Sequence, residues 1–238
     1  EISCSLVGSE MCIRDSIYAG SLVNPQLLEY AKKDCEIHNS AYMTLEQVID
    51  VIKSAEHEGK MTVRLHTGDP SLYGAIREQM DRLDELGIKY DICPGVSSFC
   101  GAAAALRAEY TLPDVSQTVI ITRMAGRTPV PEKESIAALA AHNATMVIFL
   151  STGLLKELSA ELIRGGYKPD TPAAIVYKAS WADQKVCRCT VEDLAQTAAD
   201  NGITKTALIC VGYFLGNDYS LSKLYDKSFE TEFRKAEI

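Results

Sequence analysis

Thr62–Ala75 reads TVRLHTGDPSLYGA, and the way it changes character halfway decides the fold. Its first residues alternate apolar or β-branched side chains with polar ones, the period-two pattern of a half-buried strand. At Thr67-Gly68-Asp69-Pro70 the alternation stops and a helix-like pattern begins. Gly68 is free to take a positive φ, Asp69 can cap the helix that follows, and Pro70 suits a first helical position. A strand that turns through glycine into a helix is the building unit of an α/β fold. A cap alone accounts for Asp-Pro; what adds a ligand reading is the place, because open α/β sheets bind ligands at the carboxyl ends of their strands, where N–H groups face outward.

The same grammar extends along the chain in both directions. Helical patterns cover 25–34, 44–58, 70–86, 97–108, 132–142, 152–165 and 191–201. The clearest strands are TVRLH, YDIC, TVIIT, TMVIFL, AAIVYK and TALICVGYF, short and rich in β-branched residues. Within 173–191, IVYKASWADQKVCRCTV reads as two antiparallel strands joined by a polar turn at Ala182–Gln184. The fold class is therefore α/β, with two α/β domains: a mainly parallel sheet in the first and a mixed sheet in the second. The boundary falls at Leu112-Pro113-Asp114, which gives domains at 17–114 and 115–216 and a charged tail at 217–238.

At 238 residues the chain is long enough for two cores, and its 47% hydrophobic and 24% charged residues fit a globular protein. A net charge of −8 opposes nucleic acid as the main partner, since phosphate binding needs clustered Lys and Arg. Apolar runs such as MVIFL are far too short to span a membrane, and no basic leader precedes them, so the expected place is the cytoplasm. The cysteines, at 4, 12, 35, 93, 100, 187, 189 and 210, form no C-x-x-C pair and have no histidines at zinc-like spacing. They read as reduced thiols, with Cys187 and Cys189 on one face of a strand, and no metal is expected.

Two further stretches carry chemistry. YDICPGVSSFCGAAAALRA passes through Pro94-Gly95 into an alanine-rich helix that starts at Ser97 and Ser98, a second glycine corner on a successive strand. TRMAGRTPVPE (122–132) leaves a strand with Arg123 and Arg127 and stiffens at two prolines. Arginine forks suit carboxylates, and Lys178, at the end of IVYKAS, could join them. No Ser-His-Asp constellation is present, so no catalytic residue is assigned.

VRLHTGDPSLYGA, CPGVSS, LPDVSQTVIITRMAGRTPVPE and VYKASWADQKV together resemble the tetrapyrrole methyltransferase family from about Ile17 to Leu215. The resemblance implies S-adenosylmethionine as methyl donor, held in a cleft between the two domains, a polycarboxylate tetrapyrrole as acceptor, and a homodimer. It assigns Thr67, Gly68, Asp69, Leu72, Tyr73, Ser97 and Ser98 to the donor, with Leu150, Ser151, Ala179 and Leu208 from the second domain. Arg123, Arg127 and Lys178 are then expected to meet the carboxylates of the macrocycle. The chain departs from the family at its head, where EISCSLVGSEMCIRDS stands in place of a first strand and a GxGPGDP loop. Glu10–Ser16, EMCIRDS, resembles the translation of a transposase-end sequencing adapter, so residues 1–16 are expected to be non-native. The rival readings are an inactive truncated fragment, a non-enzymatic binding protein, and an RNA ribose methyltransferase of the same fold; the last predicts a basic surface and lacks TRMAGRTPVPE.

Overall fold

The computed structural model describes residues 13–236. They fall into two compact units, one ending at Cys100 and the other starting at Gly101. Of the head segment 1–16, everything up to Cys12 lies outside the described residues, while Ile13–Ser16 open the first strand.

In the first unit β1 (Ile13–Tyr18), β2 (Glu36–Asn39) and β3 (Met61–Leu65) form a wholly parallel sheet in the order β2-β1-β3. Parallel strands of one sheet need crossovers, and the one that carries the chain from β2 past β1 to β3 contains α1 (Leu45–His57). Thr44 and Gln47 close a capping box at its start, and Val48, Ile49 and Ala55 bury its inner face. Helix α2 (Arg77–Leu86) ends at Gly87, whose φ of 68° takes the left-handed conformation of a helix stop. Arg64 ties the unit together from β3: its guanidinium donates to the Ile17 carbonyl at 2.9 Å, Ser40 Oγ at 3.0 Å and Gln79 Oε1 at 3.1 Å.

Three sequence expectations are corrected here. The pattern at 70–86 becomes helix only at Arg77, because the chain turns after Asp69, and Tyr73 and Ala75, at the turn and just past it, take positive φ (58° and 50°). Asp69 is accordingly not a helix cap. Tyr90–Cys93 forms no strand among the described residues: β3 pairs only with β1, and an extended segment without a neighbouring backbone has no ladder to join. The 25–34 pattern shortens to a 3₁₀ helix, Pro25–Tyr30, started by Asn24, whose side chain accepts from Gln26 N.

The second unit holds a mixed five-stranded sheet in the order β4-β5-β8-β6-β7. β4 (Val119–Arg123) and β5 (Thr145–Phe149) are parallel; β8 (Ala207–Val211) runs antiparallel to β5 and to β6 (Pro172–Tyr177), which pairs antiparallel with β7 (Lys185–Thr190). Helix α3 (Ser98–Leu106) precedes the sheet in the chain; α4 (Ile136–Ala140), α5 (Leu155–Gly165) and α6 (Leu194–Asp200) cover one of its faces. Met146, Ile148, Leu158, Leu162, Ile175, Leu194 and Ile209 meet there, all fully buried. The helices approach closely: a Cβ on Gly165 would sit 2.4 Å from the Ala137 carbonyl oxygen. On the β6–β7 hairpin, Cys187 and Cys189 pack against this core as half-buried thiols, and every described cysteine is free.

Candidate functional site

In the first unit the two glycine corners fit into each other. Gly68, at φ 66°, has the backbone of Ser97 and Ser98 so near that an added Cβ would lie 3.2 Å and 3.1 Å away. Gly95 is tighter still, since a Cβ there would fall 2.1 Å from the Gly68 carbonyl oxygen. Only glycine lets the two chains pass at this distance. Asp69 then clamps them. One carboxylate oxygen accepts from Gly95 N at 2.8 Å, and the other accepts from the Ser71 backbone N–H at 2.9 Å and from the Ser71 hydroxyl. The Ser71 hydroxyl, followed by the Gly95 and Ser71 amides, holds the Asp69 pKa below its ordinary value.

Thr67 is exposed on this corner, Leu72 is half-buried, and Tyr73 is 44% exposed in its left-handed conformation. Ser97 is buried, and Ser98 opens α3. The fold thus brings all seven residues assigned to the first unit onto two touching corners. Sequence reading picked out both glycines but missed the Asp69–Gly95 bond, which joins residues 26 apart and leaves no local pattern. His66 stands between β3 and Thr67. Its Nε2 is buried without a hydrogen-bond partner among the described residues, and burial, helped by the Arg64 charge, pulls its pKa down to about 4.

In the second unit the register places the other candidates along one edge of the sheet. The carboxyl ends of β4, β5 and β6 and the amino end of β8 lie together there, because β5 and β6 both run antiparallel to β8. Leu150 follows the wholly buried β5 yet is 61% exposed with φ 53°. Ser151 is fully buried, donating to the Phe149 carbonyl at 2.7 Å and accepting from Met124 N at 2.9 Å, so it welds the exits of β4 and β5. Ala179 is half-buried, 3.5 Å from where a Gly101 Cβ would be, and Leu208 is 7% exposed beside Val176. Positive φ recurs along this edge at Lys178, Ser180 and Thr206 (46°, 72° and 56°). Backbone strain of this kind collects where function holds it.

The three cationic candidates differ in how they are engaged. The Arg123 guanidinium donates to the carbonyls of Pro129 at 2.7 Å, Thr128 at 3.1 Å and Met124 at 3.4 Å, folding its own loop. Lys178 donates to Asp183 at 2.6 Å, the bond that raises its pKa, and lies over the Trp181 ring. Arg127 stands exposed on the loop that Arg123 shapes. Elsewhere, on β1 and β2, ligand atoms of Asp15, Glu36 and His38 come within 4.8 Å of one another, and His38 Nε2 is paired with Asp15 Oδ1 at 3.1 Å.

Residues 4–195 match the model of a family described as tetrapyrrole (corrin/porphyrin) methylases. The cobalt-precorrin-4 C(11)-methyltransferase of Methanocaldococcus jannaschii is 58% identical over 221 residues, 92% of this chain and 85% of that protein. The enzyme of the same name from Priestia megaterium is 48% identical over 224 residues, 92% of this chain and 86% of its own. Among solved structures, the cobalt precorrin-4 methyltransferase CbiF superposes with a TM-score of 0.83 at 47% identity, covering 85% of each chain.

Proposed function

Because the chain belongs to the tetrapyrrole methylase family, we propose that it transfers a methyl group from S-adenosylmethionine to C11 of precorrin-4 or cobalt-precorrin-4 in corrin ring biosynthesis. The observation that carries this reading is the 58% identity to a methyltransferase of that name across 92% of this chain.

S-adenosylmethionine supplies a methyl group already activated on a positively charged sulfur. The task left to the protein is alignment, which places donor and acceptor in line and needs no covalent nucleophile. The corner residues suit it. Gly68 and Gly95 expose backbone where any side chain would collide, and Asp69 fixes both corners in one geometry before a ligand arrives. Thr67, Leu72, Tyr73, Ser97 and Ser98 are the first unit's contacts in this reading; Leu150, Ser151, Ala179 and Leu208 are those of the second. Arg127 and Lys178 meet the acceptor's carboxylates, and Arg123 serves them by shaping the loop that carries Arg127. The same reading carries a homodimer in the cytoplasm; among the described residues no helix is long and apolar enough to cross a membrane.

Incubating the chain with S-adenosylmethionine and either macrocycle tests the proposal. The macrocycle is expected to gain one methyl group by mass spectrometry while the donor is converted to S-adenosylhomocysteine. Absence of methylation by a chain that binds S-adenosylhomocysteine would reject the acceptor, and absence of binding would reject the donor. Light scattering after gel filtration decides the dimer.

A further inference from the structure

Among the described residues three buried polar side-chain atoms have no hydrogen-bond partner: Thr62 Oγ1, His66 Nε2 and Thr171 Oγ1. They are not equivalent. A threonine hydroxyl can rotate its proton and is a small group to leave unsatisfied, whereas an imidazole nitrogen is fixed by its ring. Position separates them further. Thr62 lies near the amino end of β3, and Thr171 stands just before β6. His66 is the first residue past the carboxyl end of β3, the end at which open α/β sheets bind ligands, and it runs straight into Thr67-Gly68-Asp69.

We propose that His66 is a direct contact of the methyl donor, its Nε2 making with the bound molecule the hydrogen bond it lacks among the described residues. The inference rests on the reading of Thr67–Asp69 as a wall of the donor pocket. A buried polar atom without a partner is costly, and such exceptions call for an explanation such as a ligand. The charged groups on either side of it are engaged: the Asp69 carboxylate has Ser71 and Gly95, and the Arg64 guanidinium has Ile17, Ser40 and Gln79. Arg64 also explains why the histidine suits a cationic donor. Burial, with that fixed charge added, keeps the imidazole neutral at physiological pH, so that the ring offers a dipole rather than a repelling charge to a sulfonium.

The test uses the full chain with His66→Leu and His66→Gln, titrated calorimetrically with S-adenosylhomocysteine, which shares the donor's polar groups, and melted in parallel. His66→Leu is expected to lose affinity by about tenfold or more while its melting temperature holds or rises, because it removes an unsatisfied polar atom from a buried place. His66→Gln, which keeps an amide near the same point, is expected to bind within about threefold of the unsubstituted chain, the part of a hydrogen bond that altered geometry forfeits. Two results overturn the assignment: unchanged binding by His66→Leu, or a melting temperature that falls in step with its affinity, which would make the ring structural. No heat from the unsubstituted chain removes the donor reading itself and this inference with it. Binding by the unsubstituted chain and by His66→Leu alike leaves the donor reading standing and removes only His66.

Discussion

Every residue of β5 and β8 is buried, whereas β3 has Met61 exposed and its other residues half-buried. All three strands are rich in the same kinds of β-branched and apolar side chains, so composition does not explain the difference. Neighbours do. β5 lies between β4 and β8, and β8 between β5 and β6, while β3 has only β1 beside it among the described residues. Beyond α2 the segment that reads as a strand, Tyr90–Cys93, finds no ladder, leaving Ile92 51% exposed. Strand character in a sequence is thus a demand for partners, and the packing of each unit records how far that demand is met.

The largest test of the contrast is a matched pair of truncations. Leu158→Ala, in the second unit's core, is expected to cost about 2–5 kcal/mol. Ile92→Ala should stay within about 0.5 kcal/mol, as for a surface change. Urea denaturation measures both, and comparable losses would break the contrast.

A smaller effect sharpens it at the corner. Gly95→Ala drives a Cβ toward the Gly68 carbonyl oxygen, 2.1 Å away, at a cost of about 1–3 kcal/mol, and S-adenosylhomocysteine binding should be lost with it. Gly153→Ala, with no atom within 4 Å of the new carbon, is the control and should be nearly neutral or slightly stabilising. Calorimetry and thermal melting separate the two.

Of the two corner substitutions, Asp69→Ala is expected to cost the less in stability. The residue is only half-buried, so the melting temperature should drop by only about 2–4 °C, while S-adenosylhomocysteine affinity should fall by about tenfold as the two corners part, the loss expected when a charge-assisted hydrogen bond goes. Its pH signature has a definite sign. The folded-state pKa is lowered, so the contribution is complete above the free carboxylate's value near 4 and is lost as pH falls through the lower folded value. Binding measured against pH should weaken on acidification below about pH 4, and Asp69→Asn should lack that step. An Asp69→Ala chain that loses stability and affinity in equal measure would make the clamp a purely structural device.

How much of this was legible beforehand differs between fold and site. TMVIFL and AAIVYK announced β5 and β6 nearly residue for residue, and TALICVGYF announced β8 but ran three residues past its end at Val211, because side-chain period and β-branching are local properties. The hairpin of β6 and β7 was readable for the same reason, its turn lying a few residues from both strands. The start of α2 was not, since the proline and aspartate that signal a helix at 70 serve a turn instead. The glycine corners were visible one at a time, but their interlock was not.

What the sequence by itself determined is the alternation of strand and helix, a parallel sheet followed by a mixed one, and the strand ends at which glycine, serine and arginine gather. Each follows from spacings of a few residues, over which the backbone's own geometry links residue type to conformation. Tertiary structure alone decided the distant partners of the polar groups: Gly95 for Asp69, Ile17 and Ser40 for Arg64, and none among the described residues for His66 Nε2. A hydrogen bond is set by distances of about 3 Å between atoms, and chain segments far apart in sequence come that close only after the sheets have formed and the corners between their elements have closed.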